Sequence, residues 1–466
     1  MSLALTLFDP TAVDIPLRGV SIDSRTLQAG ELFVALRGER FDGHHYVDKA
    51  VAAGCAAVLV ERCPDPLPPV PVLVVEDTLR ALSDAARRWR EQVNPLVLAV
   101  TGSCGKTTVK EMLGRCLQRH FAKVHATRGN LNNHIGLPLT LLAMPANCQA
   151  LVVELGMSGA GEIAHLARLA RPQIGIITNV LPAHLEAFAD IDAIVEAKGE
   201  LLEALPHDGL AVIPHGQPYT GRLRQKAGAV KVLTFGLGAA ADVCGGQGGE
   251  PVSDGEAPST VAGFMMCWQH EQDTATTRLA GAGEHLRWNA LAVAAAARAA
   301  GVAPEQIAAG MERFAPPPGR GGVLQSLRGW RVVDDSYNAN PGSVRAALLA
   351  LPEPRPPGRK VAILGDMLEL GKEAELLHRE LSHALRESGV TLLFTAGPLM
   401  ESLHQVMAEQ AQPEGRGGVK AWHRADPAHW LGEIASHLLP EDVVLIKGSR
   451  GMKMERIVDN LVTNAL

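Results

Sequence analysis

The clearest chemistry in the chain lies in Thr101-Gly-Ser-Cys-Gly-Lys-Thr-Thr108, which follows the apolar run Leu96 to Val100 and precedes a helical stretch, Thr107 to Arg119. A strand, a glycine turn, a lysine, a hydroxyl and a helix start, in that order, make a phosphate cradle. Gly102 and Gly105 let backbone N–H groups of the loop face an anion, and the helix start adds a partial positive charge. Lys106 is placed to reach terminal phosphates, and the Thr107 hydroxyl to complete the shell of a Mg²⁺ ion. The nucleotide set is therefore Gly102, Ser103, Cys104, Gly105, Lys106, Thr107 and Thr108. Val100 stands where the usual G-x-x-x-x-G-K-[ST] pattern has its first glycine. The flanking strand and helix carry the expectation of ATP binding.

Further polar residues fall just past apolar runs. Glu154 ends Ala150-Leu-Val-Val-Glu154, where a carboxylate suits the Mg²⁺ that Thr107 begins to coordinate. Its alternative is a salt-bridged strand end. His184 follows the run Ile174 to Val180, on the same expected rim, although a lone histidine is more often a packing residue. Lys198, in Glu196-Ala-Lys-Gly-Glu200, reads on its own as a solvated helix lysine. Asp334-Asp-Ser-Tyr-Asn-Ala-Asn-Pro341 and Lys447-Gly-Ser-Arg-Gly451 each crowd polar groups after a strand. Turn chemistry explains Asn340-Pro341 but not the aspartates and tyrosine before it.

These residues need more than one domain to position them. At ~150 residues per domain, 466 residues suggest about three. The first block, residues 1–94, has strand-like runs at Glu31 to Leu36, Ala56 to Val60 and Val70 to Val75, a helix at Thr78 to Val93, and a boundary at Asn94-Pro95. The second, 95–315, alternates strands (Leu96–Thr101, Ala150–Gly156, Ile174–Val180, Leu210–Pro214, Val230–Phe235) with helices, the mark of a covered parallel sheet. Gly238 to Thr260, rich in Gly, Ala and Asp, reads as a flexible loop. Helices at Leu286 to Ala300 and Pro304 to Phe314 precede the stiff linker Ala315-Pro-Pro-Pro-Gly319. The third, 316–466, has strands at Arg331–Asp334, Lys360–Leu364, Thr391–Ala396 and Val443–Lys447 and a helix at Lys372 to Ser388, a doubly wound pattern.

Composition narrows the function classes. The chain is 47% hydrophobic and 20% charged with net charge −6, which excludes a polycationic nucleic-acid surface. Seven single cysteines without a C-x-x-C pair fit a reducing compartment. The N-terminus lacks a basic n-region, and the apolar helix Ala290 to Ala300 is interrupted by Arg298. A cytoplasmic enzyme without membrane insertion is expected.

With these motifs assembled, the chain resembles the Mur ligases, ATP-dependent amide-forming enzymes of peptidoglycan synthesis, over nearly its whole length. The resemblance rests on Ser21-Ile-Asp-Ser-Arg25, Gly30-Glu-Leu-Phe-Val-Ala-Leu36, Phe41-Asp-Gly-His-His45 and the loop Thr101 to Thr108. More specific are Gly129-Asn-Leu-Asn-Asn133 with Ile135-Gly-Leu-Pro138, Asp335-Ser-Tyr-Asn-Ala-Asn-Pro341 and Leu364-Gly-Asp-Met-Leu-Glu-Leu-Gly371. These resemble the branch that joins D-alanyl-D-alanine to UDP-N-acetylmuramoyl-tripeptide. An Asp-Asn-Pro-Arg sequence, usual in the branch adding the third peptide residue, is absent. The Asp335 to Pro341 run also argues against folylpolyglutamate synthetase. A P-loop switch protein, hydrolysing ATP without an amide product, is the alternative from another class.

The family implies an α/β chain of three domains: a small N-terminal UDP-sugar domain, a central P-loop parallel-sheet domain and a C-terminal Rossmann-like domain. It implies a monomer that uses ATP and two Mg²⁺ ions. Lys106 holds the phosphates, Thr107 and Glu154 bind one Mg²⁺, and His184 serves a second. Lys198 matches the lysine that this family carries as a CO₂-derived carbamate, and it joins the metal set. His285 and Asn289 fit the adenine side; Arg320, Asp335 and Tyr337 fit the phosphate and ribose side. Ser24, Arg25 and His44 hold the UDP-sugar, and Asn132, Asn133 and Asn338 belong to the substrate set. Leu286 stands where the family has asparagine after the adenine histidine, and Ala187 and Ala189 flank Phe188 where it often has glycines. The implied reaction phosphorylates the tripeptide carboxylate and gives the acyl phosphate to the amine of D-alanyl-D-alanine.

Overall fold

A computed structural model of the chain describes residues 3–39, 41–182, 185–238, 240–247, 261–280, 283–410 and 418–463. Three main sheets follow one another along the sequence. The first is wholly parallel, in the order β1 (Val20–Ser21), β2 (Leu32–Val34), β3 (Ala57–Val60), β4 (Val72–Val74). Its strands are apolar on both faces because both are covered. Phe33, Val58 and Val60 pack with Val47 and Ala50 on one side, while Leu32, Val34 and Leu59 meet Leu82, Ala85 and Trp89 on the other.

Leu82, Ala85 and Trp89 belong to the helix Thr78–Val93, capped by Asp77 and ended by Asn94 in a left-handed conformation (φ 49°). It joins the first sheet to the second. Trp89 Nε1 donates to the Met144 carbonyl at 2.9 Å; Arg90, buried, donates from Nε to Ala170 O and from Nη2 to Arg171 O, both at 2.9 Å. Carbonyls at the end of the helix Glu162–Ala170, which would otherwise lack partners, are thereby satisfied.

The second sheet has nine strands. These are β5 (Leu96–Thr101), β6 (Val124–Ala126), β7 (Ala150–Glu154), β8 (Ile174–Ile177), β9 (Leu210–Pro214), β10 (Lys231–Gly236), β11 (Val243–Gln247), β12 (Val261–Trp268) and β13 (Asp273–Ala280). They lie in the order β13-β12-β11-β10-β9-β8-β5-β7-β6, parallel from β6 to β11 and antiparallel beyond. From β5 the chain runs outward to β6, returns through β7 and crosses to β8. The carboxyl end of β5 is therefore the switch point at which an open α/β sheet binds ligands. Residues 243–247 correct the flexible-loop reading of Gly238 to Thr260, and residues 248–260 lie outside the described residues. The hairpin β12–β13 was not expected.

The third sheet has the order β14 (Gly322–Gln325), β15 (Arg331–Asp335), β19 (Val443–Lys447), β16 (Lys360–Gly365), β17 (Val390–Ala396), β18 (Lys420–Arg424). Only β14 runs antiparallel. Alternate residues feed two cores, Ala362, Leu364 and Leu445 on one face and Val361, Ile363 and Ile446 on the other. The expected helix is present as Ala374–Ser388, with Leu381, Ala384 and Leu385 buried.

Arg90→Met keeps the side chain's bulk while removing donors to two carbonyls. It is expected to cost about 1.5–3 kcal/mol, read as a lowered urea midpoint; an unchanged midpoint contradicts this account of the joint.

Candidate active site

The loop after β5 is fixed before any ligand arrives. Gly102 (φ 148°) and Gly105 (φ 80°) occupy backbone regions that favour glycine, and a Cβ on either would collide, with Thr178 Oγ1 or with Asn289 Oδ1. The segment after β8 braces the turn. Thr178 Oγ1 donates to Cys104 O (2.6 Å), Cys104 N donates to Asn179 Oδ1 (2.9 Å), and Ser103 Oγ donates to Leu181 O (2.9 Å). Trp288 Nε1 holds the Thr178 carbonyl at 3.0 Å. Gly105 caps the helix Lys106–Leu117, whose first N–H groups lack intrahelical partners and face the loop. The half-buried Lys106 donates from Nζ to Gly102 O at 2.6 Å. Desolvation lowers its pKa, partly opposed by Glu154.

Strand register brings Glu154 beside this loop, because it pairs with Val100 across β5 and β7. Thr107 Oγ1 donates to its Oε2 and Asn132 Nδ2 to its Oε1, each at 2.8 Å, while the Glu154 N–H donates to Thr127 Oγ1. Thr108, the last residue of the loop motif, is buried against the protein. Asn133 instead accepts from the N–H groups of Ile135 and Gly136, shaping the start of the helix Gly136–Leu142. No group of three or more His, Cys, Asp or Glu side chains suited to a metal occurs among the described residues. A hydroxyl facing a carboxylate still fits Mg²⁺, a hard cation that keeps waters and shares phosphate oxygens. His184 lies outside the described residues.

Lys198 is 2% exposed, which overturns the solvated-lysine reading. It sits on the helix Ile191–Glu203, capped by Asp190. Glu196 turns away to Arg222 and Lys226, and Glu200 accepts from Gly161 N and Ala164 N. Burial pushes the Lys198 pKa well below its usual 10.5, and the positive charge of Lys106 pushes the same way.

The third sheet forms the opposite wall. Asp335 and Lys447 are register partners on β15 and β19, and Lys447 Nζ lies 2.6 Å from Asp335 Oδ2 and 2.8 Å from Asn338 O. Asn338 Oδ1 accepts from Ala339 N. Arg320 stacks over Tyr337 at 4.1 Å, with Arg450 at 5.2 Å from the same ring. Asp334 points the other way, accepting from Gly319 N and Ser336 Oγ. His285 lies at the start of the helix Glu284–Ala299 with protein crowded around its ring, which lowers its pKa; Asp335 opposes the shift and Lys447 adds to it. The two walls touch where Asn340 Nδ2 donates to Cys104 Sγ at 3.1 Å.

Ser24, Arg25 and His44 stand apart on the first sheet's loops. Ser24 is half-buried, and Arg25 grips Asp23 through two nitrogens, holding that carboxyl down to about 2. His44 has both ring nitrogens engaged: Nε2 accepts from Glu61 N at 2.9 Å, and Nδ1 faces Asp42 Oδ1 at 2.6 Å.

Family models match each region: "Mur ligase family, catalytic domain" at residues 16–90, "Mur ligase middle domain" at 100–297 and "Mur ligase, glutamate ligase domain" at 319–450. The chain belongs to the Mur ligase family. It is 35% identical over 464 residues to the UDP-N-acetylmuramoyl-tripeptide–D-alanyl-D-alanine ligase of Bacillus subtilis, covering 99% of this chain and 96% of the relative. Among solved structures it is similar to MurF from Acinetobacter baumannii (TM-score 0.83, 34% identity, 97% of this chain and 94% of that one). It is also similar to the MurF ligase of Thermotoga maritima in complex with ADP (TM-score 0.78, 29% identity, 95% and 97% covered).

Sequence reasoning about this Mur ligase missed the braces Thr178, Asn179 and Trp288, the Asn340 to Cys104 contact and the Arg450 to Tyr337 stack. A Thr-Asn pair immediately after a strand was a usable signal for the first two; the contacts between residues far apart in sequence had none. No helix is long and apolar enough to cross a membrane among the described residues.

Gly105→Ala tests the loop. The left-handed backbone alone costs ~1–2 kcal/mol with a Cβ, and the collision with Asn289 adds to it. ADP binding by calorimetry is expected to weaken by roughly tenfold or more with the fold retained; unchanged affinity contradicts this geometry.

Proposed function

We propose that this Mur ligase joins D-alanyl-D-alanine to UDP-N-acetylmuramoyl-tripeptide with ATP, through an acyl phosphate, forming the pentapeptide precursor of peptidoglycan in the cytoplasm. The observation that carries the reading is the braced phosphate loop of β5, with Glu154 held against Thr107, Arg320 of the third block acting electrostatically on Lys106, and Asp335 and Lys447 acting on His285. Curated relatives of this specificity align over nearly the full chain.

The chain's own groups account for the chemistry. A carboxylate is a poor acyl donor, so its oxygen first takes the γ-phosphoryl group of ATP. Lys106 and the N-terminus of its helix offset charge on that group. Mg²⁺, held by Thr107 and Glu154 and in a second site by His184, supplies Lewis-acid neutralisation of the phosphates. His285 and Asn289 take the adenine side, and Arg320, Asp335 and Tyr337 the ribose and phosphate side. In the substrate set are Ser24, Arg25 and His44 for the UDP-sugar, with Asn132, Asn133 and Asn338 nearer the reacting groups. Residues 1–94, 95–315 and 316–466 thus serve as UDP-sugar, ATP and C-terminal Rossmann-like domains. Their closure excludes water that would hydrolyse the acyl phosphate.

Lys198 fits the carbamate role on physical grounds. A low pKa leaves the neutral amine that CO₂ requires. The neutral amine attacks the CO₂ carbon, one C=O bond opens and the nitrogen gives up one proton, so that a neutral group whose protonation Lys106 disfavours becomes an anion that Lys106 attracts.

Phosphate release from ATP is expected to require the UDP-muramoyl tripeptide and D-alanyl-D-alanine together; release without either supports a P-loop switch instead. Lys106→Ala should lower turnover by ~10²–10³ in a folded protein, and near-normal turnover contradicts its role. Lys198→Ala should lose most activity and regain part with acetate, whereas Lys198→Arg should stay inactive because a guanidinium remains cationic. Full activity in Lys198→Arg overturns the carbamate.

A further inference from the structure

We propose that Cys244 and Cys267 are a modification site of the central domain, a thiol pair that closes to a cross-strand disulfide when it meets a peroxide. The two residues lie directly opposite each other in the antiparallel pairing of β11 with β12. Opposed residues in such a ladder have Cα atoms about 4.5–5.5 Å apart, inside the ~4.4–6.8 Å span that a disulfide bridges. Both cysteines are free, Cys244 buried and Cys267 partly exposed, so an oxidant reaches the second first. Gln269 Nε2 donates to Cys244 Sγ at 3.0 Å, fixing the inner sulfur in place.

No other pair of the seven cysteines is in strand register. Cys55, Cys116 and Cys148 are buried, Cys63 is exposed, and Cys104 is engaged with Asn340 in the phosphate loop. Burial, with Cys244 alongside, raises the Cys267 pKa, so the pair stays reduced unless oxidant persists.

The reaction balances with hydrogen peroxide as the oxidant. Cys267, as thiolate, attacks one peroxide oxygen; the O–O bond breaks, one water leaves, and a sulfenic acid forms. Cys244 then attacks that sulfur, the S–O bond breaks, and the hydroxyl leaves as a second water. Two thiols and one peroxide become one disulfide and two waters. The bond ties the last parallel strand to the antiparallel hairpin. Behind that hairpin, Gly245 and Phe264 back onto Leu291 of the helix Glu284–Ala299, which also carries His285 and Asn289. Oxidation therefore staples the support of the nucleotide wall without touching its polar groups.

The test uses the full chain with Cys63→Ser, which removes the exposed thiol. After hydrogen peroxide treatment and alkylation, non-reducing peptide mapping is expected to show Cys244 joined to Cys267, two hydrogens lighter than the reduced peptides. The thermal midpoint should rise and return on adding dithiothreitol. Adding Cys267→Ser should abolish the rise, and Cys244 should then remain alkylatable. Cys244 and Cys267 both recovered alkylated after treatment, Cys267 recovered as a sulfinic acid without linkage, or an equal midpoint shift in Cys267→Ser would each overturn the proposal.

Discussion

The whole structure is arranged around amino groups and N–H dipoles held where they are poorly solvated. Lys106, the opening N–H groups of its helix and the buried Lys198 gather at the carboxyl end of β5. Lys106 and Glu154 act on each other electrostatically, and the carboxylate is already shared with Thr107 and Asn132. A poorly solvated Lys106 beside a helix N-terminus raises the affinity of the site for anions, because water screens it weakly. Phosphate groups are the anions that fit the loop, and the proposed carbamate would place a negative charge beside Lys106.

Everything else keeps that arrangement rigid and reachable. Parallel register sets Glu154 beside Val100 and Thr101 beside Ile177, so the loop, the carboxylate and the bracing Thr178–Asn179 share one edge. Register in the third sheet does the same for Asp335 and Lys447. The Trp89 and Arg90 contacts hold the first sheet to the second. Among the described residues, the third meets the second at Asn340 to Cys104 and at Glu186 N to Glu369 O, 3.4 Å.

Much of this was legible in the residues. Apolar runs bounded by Gly, Pro and Asn marked Leu96–Thr101, Leu210–Pro214 and Val443–Lys447, and the helix Thr78–Val93, as the structure has them. The hairpin β12–β13 escaped because its first strand follows a glycine-rich stretch and its second, Asp273-Thr-Ala-Thr-Thr-Arg-Leu-Ala280, is largely polar. Burial of Lys198 was invisible locally, since Glu196, Gly199 and Glu200 give its segment a surface composition; its inward face is set by tertiary packing. His44, which the resemblance places with the UDP-sugar, also bonds Asp42 and the Glu61 N–H, contacts that no spacing reveals.

The account stands most directly on the state of Lys198. Supplying the enzyme with ¹³C-labelled bicarbonate and recording its carbon NMR spectrum tests that state without reference to turnover. A protein-bound carbamate resonance that disappears in Lys198→Ala is the predicted result. Absence of any such resonance at saturating bicarbonate, or its persistence in Lys198→Ala, would contradict the claim that this buried amine works as an anion.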